Sequence, residues 1–190
     1  MESIIQNETV QHLLARRSIR RFRPDQISEE MLQTIIQCGF AAPSGMNLQS
    51  WHLIVVQDAA LLEEINTAFV EYVRQHPPIP PVMVERLKNP LYSVFFRAPT
   101  CILVCFETEK GPTNSAFLAE NMAIAAQSLG LGTCYVGGVL MYLNTPEGAP
   151  LMSKLQIPEG YTPAYFLCTG YPDEAPDARP RDLSKISYIR

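Results

Sequence analysis

Arg16-Arg17-Ser18-Ile19-Arg20-Arg21-Phe22-Arg23-Pro24 places five of the chain's fifteen basic residues within eight positions. Further on comes Ala42-Pro43-Ser44-Gly45-Met46-Asn47-Leu48-Gln49-Ser50-Trp51, a turn-forming stretch dense in hydrogen-bonding groups. The first run concentrates guanidinium forks and a hydroxyl, and arginine pairs with phosphate oxygens through two parallel charge-assisted bonds. A heteroaromatic ring bearing carbonyls and ring nitrogens calls for amides and hydroxyls such as the second run supplies. Together they point to a phosphorylated, ring-bearing cofactor held near the start of the chain. A merely solvated basic face is the competing reading of the arginine run.

The rest of the composition sets limits around that reading. At 190 residues the chain fits one domain, residues 1–190, with a core of its own. Hydrophobic residues at 47% and charged ones at 18% describe a folded protein rather than a disordered one. A net charge of −4 argues against a general nucleic-acid binder, which would usually be basic, so the arginines are a local device on an acidic body. Cys38, Cys101, Cys105, Cys134 and Cys168 form no C-x-x-C pair, and no histidine stands at metal-ligand spacing from them. They read as reduced, buried thiols acting as small hydrophobes. No nucleophile motif accompanies His12, His52 or His76, so a hydrolase triad is not indicated. The start of the chain carries Glu2 and Glu8 without an apolar segment, so no secretory leader is expected. The longest apolar stretch, 116–131, is interrupted by Glu120, Asn121 and Gln127 and reads as a buried helix, not a membrane span. The expectation is a soluble, cytoplasmic protein.

Along the chain, 9–15 reads as a short helix delivering the arginine run. Ser28 caps a second helix, with Glu29 and Glu30 in its first turn and Met31, Leu32, Ile35 and Ile36 on one face, stopping at Gly39. A strand follows at 51–57, then a helix capped by Asp58 and running to about residue 74. The prolines of 76–81 exclude a central strand or helix, and 76–97 reads as an excursion, either a lid or a surface connection. The run 100–106 is a buried central strand, 115–129 a helix apolar almost all round and ended by Gly130 and Gly132, and 134–136 and 164–169 further strands. No G-x-G-x-x-G opens a helix after an early strand, which disfavours a Rossmann site. The fold class is α+β, with helices around a mixed sheet.

Four stretches in the same order are similar to the FMN-dependent nitroreductase family. They are R-R-S-I-R-x-F, then A-A-P-S-G-M-N-L-Q-S-W ahead of a strand, then Glu120-Asn121-Met122 leading into G-L-G-T-C-Y-V-G-G at 130–138, and finally Ala178-Arg179-Pro180-Arg181. The resemblance covers nearly the whole chain. It implies a mixed, mainly antiparallel central sheet flanked by helices, and an intertwined homodimer with two FMN molecules at the interface. Arg16, Arg17, Ser18 and Arg20 would meet the phosphate and ribityl chain, with Arg20 near the ring's pyrimidine edge, and Arg179 and Arg181 would return to the same phosphate. Pro43, Ser44, Gly45, Asn47 and Gln49 would come from the other subunit. Val136, Gly137 and Gly138 would pass beside the ring, where glycine lets a backbone N–H press toward the redox-active nitrogen. Arg21 and Arg23 face solvent or acidic neighbours, Trp51 belongs to the core, and a simple bulge is the other reading of Gly137-Gly138. The chain departs from the family at Gly45, where a second serine is common, and at Ser50, where proline is common. The latter would loosen the loop without removing a ligand.

The implied activity is a ping-pong oxidoreduction. NAD(P)H delivers hydride to FMN, then an electron-poor acceptor such as a nitroaromatic or quinone takes its place, and no catalytic side chain is assigned. Other members of the family dehalogenate, fragment flavin or oxidise azolines on the same cradle. A flavin-binding or storage protein without efficient turnover would carry the same motifs. An RNA-associated protein using the arginines with Phe22 lacks interleaved aromatics elsewhere.

Overall fold

The computed structural model describes residues 5–190, so Glu2 of the leader argument lies outside the described residues. Capping defines the early helices. Asn7 accepts from Val10 N at 2.9 Å to open α1 (Glu8–Ala15), and Ser28 Oγ accepts from Met31 N at 3.2 Å to open α2 (Glu29–Phe40). Asp58 bonds the N–H groups of Ala60 and Leu61 at the head of α3 (Ala59–Gln75). The remaining strands and α-helices are β1 (Trp51–Val56), α4 (Pro81–Leu87), β2 (Thr100–Glu107), α5 (Thr113–Ser128), β3 (Gly132–Val136), α6 (Leu140–Leu143), α7 (Ala149–Lys154) and β4 (Tyr161–Gly170), with a short 3-10 turn at Gly45–Asn47.

The sheet order is β1-β2-β4-β3, with every neighbouring pair antiparallel. Among the described residues the parallel component is a single bridge, from Ser18 of the segment after α1 to Thr133 of β3. Side chains alternate across the sheet and so build two cores. Cys101, Leu103, Cys105, Phe166 and Cys168 face Ile65, Phe69 and Val73 of α3 and Leu143 of α6. Ile102, Val104 and Leu167 face Leu32 and Ile35 of α2 and Leu118, Met122 and Ala126 of α5, with Trp51 in the same cluster.

Several expectations change. Gly39 does not stop α2; it lies inside the helix, where a Cβ would come within 2.5 Å of Met122 Cγ, so its role is the close approach of α2 to α5. The proline segment ends in a helix, because Pro81 occupies the first turn of α4, where a missing N–H costs nothing. Cys38 is exposed, while the other four cysteines are buried. The strand irregularity falls between Val104 and Cys105, not at Gly137-Gly138, which lead from β3 toward α6.

Candidate functional site

Backbone bonds bring the two ends of the chain together. Leaving α1, the strap 16–27 crosses the end of the sheet: Ile19 N donates to Thr133 O at 2.9 Å and Arg23 N to Tyr171 O at 2.9 Å. The segment after β4 runs back along it, with Asp173 N bonded to Arg21 O at 2.9 Å and Phe22 bridged antiparallel to Pro172. This pairing returns 176–181 to the start of the strap.

Arg16, Arg17, Ser18, Arg20, Arg179 and Arg181 consequently line one hollow of about 250 Å³, together with Pro176 and Asp177. Five guanidiniums face one carboxylate there. Arg16 Nη1 is buried with no hydrogen-bond partner among the described residues, and its Nε lies 3.9 Å from Glu120 Oε1. Glu120 in turn accepts the Tyr135 hydroxyl at 3.0 Å. Burial first, and then the Glu120 charge, push that phenol well above its usual range. Arg17 Nη1 donates to the carbonyls of Leu14 and Arg16 at 2.6 and 2.8 Å, which tethers one edge of its guanidinium to the end of α1. Arg20 donates its backbone N–H to the Glu174 carboxylate, and its Cζ lies 6.0 Å from the Phe96 ring centre. Arg21 is turned away, paired with Asp173 at 3.0 Å.

Val136 ends the same strand, roughly 10 Å from Thr133 at the strand rise, and Gly137 and Gly138 follow it out of the strand. Val136 is buried. A Cβ on Gly138 would meet nothing within 4 Å, and one on Gly137 only Ala164 O at 4.0 Å, so the backbone borders open space. The carbonyls of Gly137 and Gly138 accept from Leu140 and Met141, while their N–H groups donate to nothing among the described residues.

Pro43, Ser44, Gly45, Asn47 and Gln49 are not in this hollow. Their loop is fastened to the first turn of α5, where Asn114 accepts from Gly45 N at 3.2 Å and donates to Ser50 Oγ at 2.9 Å. Ser50 is 1% exposed and anchored, so it secures the loop rather than loosening it. Ser44 Oγ accepts from Gln49 N at 3.0 Å, and Gln49 Nε2 donates to Asn47 Oδ1 at 3.2 Å. Met46, Asn47 and Gln49 hold φ of 52°, 54° and 48°, which presents exposed amides from a strained turn. Along α5 the Asn114 anchor stands six residues, about 9 Å, before Glu120, the residue that meets Arg16. Glu120, Tyr135, Glu174, Phe96 and Asp177 were missed as site residues; each acts through a tertiary contact that no local pattern announces.

A strap of arginines laid on the end of an antiparallel sheet, met by a returning basic tail, defines an α+β protein with a strongly basic cleft. The "Nitroreductase family" model matches residues 13–171. The chain is 32% identical to the NADPH-flavin oxidoreductase of Vibrio harveyi over 190 aligned positions, covering 92% of this chain and 70% of that one. A nitroreductase with bound FMN from Desulfitobacterium hafniense DCB-2 superposes with a TM-score of 0.87 at 28% identity, over 98% of this chain and 100% of that one. Another, with bound FMN, from Bacteroides fragilis NCTC 9343 gives 0.85 at 26%, over 97% and 100%. This chain belongs to the nitroreductase family. No helix among the described residues is long and apolar enough to cross a membrane.

Proposed function

We propose that the protein is an FMN-dependent oxidoreductase that takes two electrons from NAD(P)H and passes them, in a separate half-reaction, to an electron-poor acceptor such as a nitroaromatic or quinone. For a quinone the balance is NAD(P)H + H⁺ + quinone → NAD(P)⁺ + quinol. The observation that carries this reading is the hollow of about 250 Å³ lined by guanidinium-bearing residues from both ends of the chain, among them Arg16, whose Nη1 is buried without a partner among the described residues. A phosphate monoester carries nearly two negative charges at neutral pH and three acceptor oxygens, so the donor set fits it.

Arg16, Arg17, Ser18, Arg20, Arg179 and Arg181 bind the phosphate end of FMN. Val136, Gly137 and Gly138 border its ring, and the free glycine N–H groups are the donors available there. Pro43, Ser44, Gly45, Asn47 and Gln49 of a second copy complete the site, because within one chain their loop is fastened to the first turn of α5 and lines no part of the hollow. A homodimer also suits Leu13, Leu14, Phe40 and Phe117, apolar side chains left 47–52% exposed on α1, α2 and α5. Bound FMN supplies the hydride chemistry; the chain supplies position, positive charge and a shared pocket. One domain, residues 1–190, forms each half, and a nicotinamide donor goes with a cytoplasmic location. The test is direct. Purified protein should be yellow and dimeric in sedimentation, and anaerobic NADPH or NADH should bleach its visible absorbance promptly. A flavin that stays oxidised would favour storage over catalysis, and a monomeric holoprotein would contradict the shared site.

A further inference from the structure

The loop 43–49 is tied to the rest of the chain at very few points. Asn47 N donates to Ser44 O at 2.9 Å and Leu48 N to Gly45 O at 3.0 Å, so its backbone turns back on itself. Residues 45–49 are exposed, Met46 at 91%. Among the described residues, one hydrogen bond joins 43–49 to a distant element: Gly45 N donates to Asn114 Oδ1 at 3.2 Å. The same side-chain amide turns its Nδ2 toward Ser50 Oγ at 2.9 Å. Ser50 is buried, and its carbonyl accepts from Glu107 N at 3.1 Å. One side chain thus clasps both ends of the loop. Proline, common in the family at position 50, has no hydroxyl to offer, so the second half of the clasp depends on this chain's serine.

The backbone needs such a clasp. Met46, Asn47 and Gln49 are all left-handed, and residues other than glycine stay in that region only where their surroundings hold them. Asn114 is well placed to do so. It is the second residue of α5, and Leu118, Ala119 and Met122 behind it are locked into the core between α5, α2 and the sheet. An anchor on a packed helix fixes a neighbouring turn more firmly than the turn's own bonds do. An asparagine side chain carries one acceptor group and one donor group, and here each is used once on the loop.

We propose that Asn114 is a positioning residue for the ring end of the flavin, holding 43–49 in the shape in which Asn47 and Gln49 meet the flavin of a second copy. This role rests on flavin binding at the shared site, and it acts on the ring rather than on the phosphate. Asn114→Ala in the FMN-loaded protein should weaken FMN binding roughly tenfold, read by flavin fluorescence on dilution. Riboflavin shares the ring and lacks the phosphate, so in competition it should lose as much, and the ratio of FMN to riboflavin affinity should stay constant. Arg16→Ala should lower that ratio instead. Asn114→Asp should bind both flavins nearly as the unmodified protein does. Its carboxylate accepts from Gly45 N–H and from the Ser50 hydroxyl, and a negative charge suits the first turn of a helix. Hydrogen exchange supplies a readout without flavin: amides of 44–50 should exchange faster in Asn114→Ala while α5 stays protected. Unchanged exchange in that variant, a loss confined to FMN, or an Asn114→Asp protein as weak as Asn114→Ala would overturn the assignment. A bound flavin that stays oxidised under NAD(P)H would count against the oxidoreductase reading, while faster exchange and a constant ratio would still establish the clasp. Prompt bleaching with unchanged exchange would do the reverse.

Discussion

Arg16 holds one N–H donor in the interior with nothing to receive it. An unmet buried donor costs on the order of 1–3 kcal/mol, more when charged, and a phosphate oxygen would remove that cost. Replacing Arg16 and Arg179 together by alanine should give colourless protein, read as the ratio of flavin to protein absorbance. Each single change should weaken FMN binding about tenfold or more. Stoichiometric flavin in the double variant would place the phosphate elsewhere. At this scale the meeting of the arginine run and Ser18 with Arg179 and Arg181 was legible, because guanidinium forks gathered at both ends of a chain suit one anion, while the amide loop lies outside that hollow. Glu120 and Tyr135, which fasten Arg16 from α5 and β3, were not, since their meeting depends on packing rather than on spacing along the chain.

Helix α2 shows how far local signals reach. Its cap and buried face followed from Ser28 and the apolar period, yet its end did not, because Gly39 answers to Met122 on α5 rather than to its own turn. The strand order was equally hidden. Nothing in 100–106 or 164–169 says that these segments pair with each other. Gly132 shows the same dependence. A Cβ there would lie 2.6 Å from Ile19 Cγ1 and 2.9 Å from Ile19 Cβ, so the strap rests on β3 only because a hydrogen stands in that place. Gly132→Ala should cost about 1–3 kcal/mol and weaken FMN binding at once, since Ser18 precedes the displaced Ile19. Gly39→Ala presses on flexible Met122 and should lower the melting temperature alone. A normal flavin affinity in Gly132→Ala would separate the strap from the site.

Over the whole molecule, the central strands bury a set of neutral thiols. Burial pushes Cys105 from its ordinary 9.0 up to about 12, raises Cys134, and raises Cys168 well above its usual value. A raised folded pKa means that the unfolded chain ionises first. Stability is therefore full below about pH 9 and declines as pH climbs toward 12, by up to about 1.4 kcal/mol per pH unit for each such group. Tyr165, also pushed up to about 12 by burial, adds to the fall above its ordinary 10.0. The urea midpoint should drop between pH 8 and 10.5; an unchanged midpoint would mean that these groups are not held neutral.

Five like charges around one carboxylate repel each other unless an anion lies among them, and two of the five belong to the returning tail. A phosphate bound there would work as a clasp on the returning tail, contributing stability that grows with the logarithm of ligand concentration. Trypsin cuts after arginine except before proline, so in protein stripped of FMN the Arg179–Pro180 bond stays intact while the chain should be clipped quickly after Arg181, and reloading should protect that bond. Rapid digestion of the tail in fully loaded protein would show that the latch never closes.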